Sequence, residues 1–351
     1  MSCAVQDGVL RPGGISADNS ANGGSLQWVV VNAAGRTYWL SMHVPYACGN
    51  SGVCCSSRWP IPIERSRVAA VAALRPDRAW LRPVEGAPDD VAGVIALSGS
   101  GHCAFHGENC EIHCRLGHDA LPSACQHFPR AILIDPRGVF VTLSHYCPTA
   151  ADLLFAHEGP VEIVEGPPAI PGGIPEGLDA RHTLPPLLVG GGVRRGQVGS
   201  GVARRRAASG LPAVLMDFDG YSAWEAHMVR VLTSVSDPAE YALDQLERHF
   251  ELLQQWRPGR QTLAEAVQAL HVECSGDQET GSRSDLIVGR YLAARAFGSW
   301  SAYGPEGAAG VLTSLRIALT TLRARAQVTS LKNAIRQTDL EVVHLANRHD
   351  I

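Results

Sequence analysis

Apolar positions change their period along this chain, and each change predicts a different kind of element. In "LQWVVVNAAGRTYWLSMHV", residues 26–44, two β-branched and aromatic runs flank the turn-forming "NAAG". That pattern predicts a hairpin. A second hairpin is predicted where "AILID" and "VFVTLSHY" flank Asp135-Pro136-Arg137-Gly138, which places Pro and Gly where a tight turn wants them. Residues 159–211 are rich in Pro and Gly, as in "EGPPAIPGGIPEG" and "LVGGGVRRGQVGSGVARRR", and read as a linker or irregular lid. Beyond it the period becomes helical. Trp224, Met228, Val231, Leu232 and Val235 fall on one helical face. Asp237-Pro238-Ala239-Glu240 and Thr262-Leu263-Ala264-Glu265 carry helix-start chemistry. Further helical patterns cover about 284–298, 308–334 and 337–347.

These elements predict an α+β protein in which a small cysteine-rich metal-binding domain with short β-hairpins precedes a helical bundle. The expected segments are a flexible tail over 1–25, a cysteine-cluster domain over 26–158, a linker over 159–211 and a helical domain over 212–351. The tail assignment follows from its Gly, Ser, Asn and Asp content.

Composition narrows the function classes. The chain has 351 residues, 45% hydrophobic and 18% charged, enough to bury a sizeable core in two structural units. A formal charge of −4 supplies no basic field, so nucleic acid is an unlikely partner. Lys332 is the sole lysine among 30 basic residues. The beginning of the sequence lacks a basic stretch followed by an apolar one, and no apolar run approaches the ~20 residues of a membrane span. The expectation is a cytoplasmic protein with no membrane partner, where cysteines serve metal or catalysis more often than disulfides.

Eight of the ten cysteines lie between 48 and 147: Cys48, Cys54, Cys55, Cys103, Cys110, Cys114, Cys125 and Cys147. Cys3 and Cys274 stand outside this group. Thiolate-rich sites select zinc, Cu(I) or iron–sulfur clusters. No C-x2-C knuckle of the common zinc kind occurs, whereas iron–sulfur clusters accept irregular spacing. The vicinal Cys54 and Cys55 would diverge in an extended chain, which suits a cluster or a two-metal site better than one small ion. His102, His106, His113, His127 and His145 are interspersed, and their simpler role is hydrogen bonding.

The order C-x5-C-C, C-x6-C-x-I-H-x-x-L-G, P-x-x-C-x-x-F-P-R and C-P resembles the YkgJ-type cysteine-cluster proteins, a zinc- or iron-chelating family. The similarity is closest to the flagellin lysine-N-methylase branch, through "CCSSRWPIPI" and the Cys147-Pro148 pair, and it covers about residues 43–150. A fainter echo lies in "DLIVGRYLAARAFG". The resemblance implies metal ligation by Cys48, Cys54, Cys55, Cys103, Cys110, Cys125 and Cys147. Cys114 departs from the pattern, as a spare thiol or an additional ligand. Pro122, Phe128, Pro129 and Arg130 match as residues that fix the backbone around Cys125.

It further implies an iron–sulfur cluster, with zinc as the alternative, and S-adenosyl-L-methionine as methyl donor to a lysine of a protein substrate. Catalytic and donor-binding residues are not assigned by it. The sequence lacks the C-x3-C-x2-C triplet of radical enzymes. The nearest Gly-rich turn, "LLVGGGVRRG", falls in the linker. A non-enzymatic protein whose metal is a structural staple is the competing expectation. Arg194, Arg195, Arg204, Arg205 and Arg206 read as a solvated loop, and Asp217, Asp219 and Glu225 as helix-start charges.

Overall fold

The computed structural model describes residues 36–170, 177–189, 214–234, 238–272 and 282–345. In chain order its strands are β1 (Thr37–Leu40), β2 (Ile61–Glu64), β3 (Leu81–Arg82), β4 (Val91–Ile95), β5 (Arg130–Asp135), β6 (Gly138–Leu143), β7 (Ile163–Glu165), β8 (Leu178–Asp179), β9 (Leu187–Val189) and β10 (Val214–Leu215). The helices are α1 (Arg65–Ala72), α2 (Glu111–Leu116), α3 (Ser123–His127), α4 (Pro148–Ala156), α5 (Phe218–Leu232), α6 (Ala239–Gln254), α7 (Leu263–Gln268), α8 (Arg283–Ala296), α9 (Ala308–Ala326) and α10 (Leu331–Asp339).

The β5–β6 hairpin forms as the turn chemistry predicts, with Asp135 opposite Gly138 and Pro136-Arg137 as its two-residue loop. It lies within a five-stranded sheet of order β7-β1-β6-β5-β8. β1 runs parallel to β6 and antiparallel to β7, so both its edges are taken. The hairpin expected over 26–44 is therefore not the pairing that Thr37–Leu40 adopts, and its first arm lies outside the described residues. Apolar alternation marks a strand but does not choose its partner, which burial of the shared face decides. The Pro- and Gly-rich stretch after 158 supplies both edge strands, β7 and β8, where short strands tolerate such residues. A smaller sheet, β2-β4-β3, packs with α1, and β9 pairs with β10.

In the helical part, Trp224, Met228, Val231 and Leu232 are buried as their spacing requires, while Val235 lies outside the described residues. Thr262 and Glu265 form a reciprocal capping box at α7, and Ser282 and Asp285 form another at α8. α6 begins at Ala239 with Pro238 as its N-cap; Asp237, expected as the cap, lies outside the described residues. The single helix expected over 308–334 is two, because Ser330 caps a new start by accepting from the Asn333 N–H at 3.4 Å. The 337–347 pattern resolves into the end of α10 and a π-helical turn, Leu340–Leu345.

The main apolar core joins Leu40, Met42, Leu133 and Phe140 of the sheet to Trp224, Tyr291, Leu315 and their helical neighbours. It crosses the composition changes at 158 and 211, and Gly35–Ile351 form one compact unit. A buried ionic knot fastens the hairpin turn to α5. Arg137 pairs with Asp135 at 2.7 Å and Glu225 at 3.0 Å, with its guanidinium between the Phe140 and Tyr221 rings. Glu225 also accepts from the Gly298 N–H at 2.8 Å, and Tyr303 donates to Asp135 at 2.6 Å. Glu225 is thus no helix-start charge: it is 1% exposed in mid-helix, whereas Asp217 does cap α5 through the Gly220 N–H. Among the described residues no helix is long and apolar enough to cross a membrane. The tail over 1–25 and the Arg cluster over 194–206 lie outside the described residues.

Candidate metal centre

Seven free thiols, each one implied by the resemblance, come from well-separated parts of the chain. Cys54 and Cys55 sit in a 3-10 turn, Val53–Ser56, entered through Gly52 at φ 69°. Only glycine fits there without strain, since a Cβ would lie 3.2 Å from the Asn109 backbone. The vicinal pair is therefore not extended as expected. In a 3-10 turn successive side chains separate by only a third of a revolution, and both thiols join one group. The Cys103 N–H donates to the Cys55 carbonyl at 2.8 Å, which docks the second cysteine segment on the first. Cys110 N-caps α2, Cys147 N-caps α4 ahead of Pro148, and Cys125 lies in α3.

The thiols meet in two shells. The Cys55 thiol neighbours those of Cys54, Cys103 and Cys110. Their mutual interaction raises the Cys55 pKa and lowers those of Cys54 and Cys103, while Cys110 falls to about 7. Cys48, Cys125 and Cys147 complete a small cavity of about 40 Å³ together with Cys54, Cys55 and Cys110. Burial pushes the Cys125 thiol up and raises that of Cys48 too, although Cys48 reaches the surface. Tyr46, not predicted from sequence, stands 3.8 Å from Cys147 Sγ, and burial raises its pKa.

Among the described residues no group of three or more His, Cys, Asp or Glu side chains is arranged to hold a single metal ion. Cys114 is disulfide-bonded and so is neither a spare thiol nor an additional ligand, which corrects both readings of it. Of the five interspersed histidines only His113 lines the thiol cavity. His127 bonds the Ser123 carbonyl at 2.8 Å, His145 pairs with buried His43 at 3.2 Å, and His102 and His106 contact each other.

Comparison with protein-family models, with curated proteins and with solved structures finds no match to this chain.

The residues around Cys125 do more than fix backbone. The Cys125 N–H bonds the Pro122 carbonyl at 2.8 Å, as expected, but the Phe128 ring forms a wall of the thiol cavity and packs 5.3 Å from Trp59. Arg130 lies over the Tyr46 ring at 5.2 Å. The other face of Phe128 opens on a cleft of about 890 Å³. In it Ser144 donates to Asp339 at 2.6 Å and meets His344 Nε2 at 2.8 Å. With the serine proton on Asp339, the imidazole must donate to Oγ, so this trio does not make an activated nucleophile. The only sequence sign of this cleft is Arg295 inside the otherwise apolar "YLAARAFG". Of "LLVGGGVRRG", Leu187–Val189 form β9 and the Gly-rich part lies outside the described residues.

Proposed function

We propose that this protein is a metal-binding cysteine-cluster protein whose thiols hold an iron–sulfur cluster, with zinc as the alternative occupant. The observation that carries this reading is the gathering of seven free thiols in two touching shells. Soft donors in this number fit a polynuclear group, whose corners are reached by different ligands, better than one ion. Cys48, Cys54, Cys55, Cys103, Cys110, Cys125 and Cys147 would hold it. Lowered thiol pKa values at Cys54, Cys103 and Cys110 favour the thiolates that ligation needs. A bound cluster would supply electron transfer or Lewis acidity.

On the resemblance, the reaction proposed for this centre is methyl transfer from S-adenosylmethionine to a lysine of another protein in the cytoplasm. The single lysine is consistent with an acceptor in trans, because Lys332 is ion-paired with Asp152. A structural staple is the second reading. It is favoured by the small core around β2–β4, where Cys55, Cys103 and Cys110 are themselves buried among Ile63, Trp80 and Phe105.

Anaerobic purification with iron, zinc and acid-labile sulfide analysis tests the proposal. Iron with sulfide supports the cluster, and stoichiometric zinc without sulfide promotes the staple. Metal-free protein from anaerobic cells overturns both.

A further inference from the structure

The cleft beyond Phe128, at about 890 Å³, lies in the roughly 300–1,000 Å³ range of small-molecule sites. Its walls are the open end of the β5–β6 hairpin, the loop after α8, one side of α9 and the turn after α10. Four charged side chains line it, and they are unequally satisfied. Asp339, 1% exposed, accepts from Ser144 at 2.6 Å and Tyr291 at 3.3 Å. Glu341 is held by Arg325.

Of the two guanidiniums, that of Arg295 is the less satisfied. The Arg295 side chain is 19% exposed, and its nearest carboxylate, Asp339, is 3.9 Å away, beyond hydrogen-bond reach. Its Nε is buried with no partner. Arg130 is engaged elsewhere, bonding the Gln126 carbonyl at 3.3 Å with its guanidinium over the Tyr46 ring at 5.2 Å. Buried donors left unpaired are costly, so native proteins rarely keep them without a ligand, water or ion to accept. A planar guanidinium fork matches a carboxylate or phosphate. Much of the remaining lining is apolar or aromatic, and Trp300 and Ile317 are its exposed apolar side chains.

We propose that this cleft binds a small organic anion, whose carboxylate or phosphate is taken by Arg295 and whose flat apolar body lies against Trp300. The inference stands whether or not the thiols carry metal.

Calorimetric titration of the full chain with benzoate, phenylphosphate and benzamide tests it. At least one of the two anions should bind, and which one binds identifies the anionic group. Benzamide, with the same ring and no charge, should bind tenfold more weakly or worse. Arg295→Gln should weaken the anion by about tenfold or more. Ile317, 52% exposed at the cleft, allows a check that leaves the core intact. Ile317→Lys should bind the anion several-fold more tightly than Ile317→Glu. The proposal is overturned if neither anion binds at millimolar concentration or if benzamide binds as well. Equal binding by the Ile317 pair, or an unchanged affinity in folded Arg295→Gln protein, overturns it too.

Discussion

Replacing Arg137 with Met keeps most of the side-chain volume and removes the one cation of a buried knot. Asp135 and Glu225 would then be left 0% and 1% exposed at the side chain, with like charges and no counter-ion. At 3.0 Å and an effective dielectric of about 20, each lost attraction is about 5 kcal/mol before desolvation is counted. Desolvation of the guanidinium is recovered in the variant, so the net loss should be about 3–5 kcal/mol. That is a large share of the roughly 5–15 kcal/mol that holds a domain folded. Urea unfolding of the two proteins measures it.

A second arm tests the cause. Arg137→Met combined with Glu225→Gln removes one stranded charge and should recover part of the loss. The pH dependence has a definite sign. Burial already raises the Glu225 pKa, so the folded state holds that proton more tightly than the unfolded one. Its contribution is therefore fully present below the unfolded carboxyl pKa and is lost as pH rises through the folded value. Without Arg137 that window should extend to higher pH, and the variant should gain on wild type as pH falls. A loss below about 1 kcal/mol, or a double variant no better than the single, refutes the electrostatic account.

Cys110→Ala and Cys125→Ala should each lower metal content in anaerobically purified protein, measured by elemental analysis; full retention in both means that other residues bind the metal. Thr262→Ala removes the capping-box bond in which the Thr262 hydroxyl accepts from the Glu265 N–H, and should cost about 1 kcal/mol by urea unfolding. Gly289→Ala should cost about 1–3 kcal/mol, because the new Cβ would lie 2.1 Å from the Leu232 carbonyl and force α8 from α5. An unchanged unfolding midpoint would show that the two helices can separate freely.

What sequence reveals here follows the range of each interaction. Turn chemistry at Asp135–Gly138 and caps at Thr262 and Ser282 act over a few residues, so they are legible in the chain and present in the fold. The cysteine grouping is legible too, since rarity and clustering need no coordinates. Pairing is not. β1 joins β6 and β7 through contacts some one hundred residues away or more, which no local pattern encodes. Glu225 was misleading for the same reason: an acid near a helix start ordinarily faces water, and only Arg137 and the Gly298 N–H make its burial tolerable. The break at Ser330 was hidden because apolar spacing continues across it. The placement of Cys54 and Cys55 depends on a 3-10 turn that a vicinal pair alone does not announce.

The β5–β6 hairpin connects these separate features. Its turn carries Arg137 and is clamped to α5. Its open end, where Arg130 faces Leu143, is entered just after Cys125 and left just before Cys147. The six-rung ladder therefore sets the distance between two of the outer thiols, and the clamp at the far end keeps the hairpin from sliding on the helical core. Phe128 belongs to the same open end and walls both the thiol cavity and the cleft. A shift of the hairpin would move Phe128, Arg130, Cys125 and Cys147 together. Loss of the Arg137 knot should consequently loosen the outer thiols and the cleft in concert, while Cys54, Cys55, Cys103 and Cys110, packed with the smaller sheet, are held by their own core. That local core and the hairpin's remote clamp are two independent supports for one group of thiols.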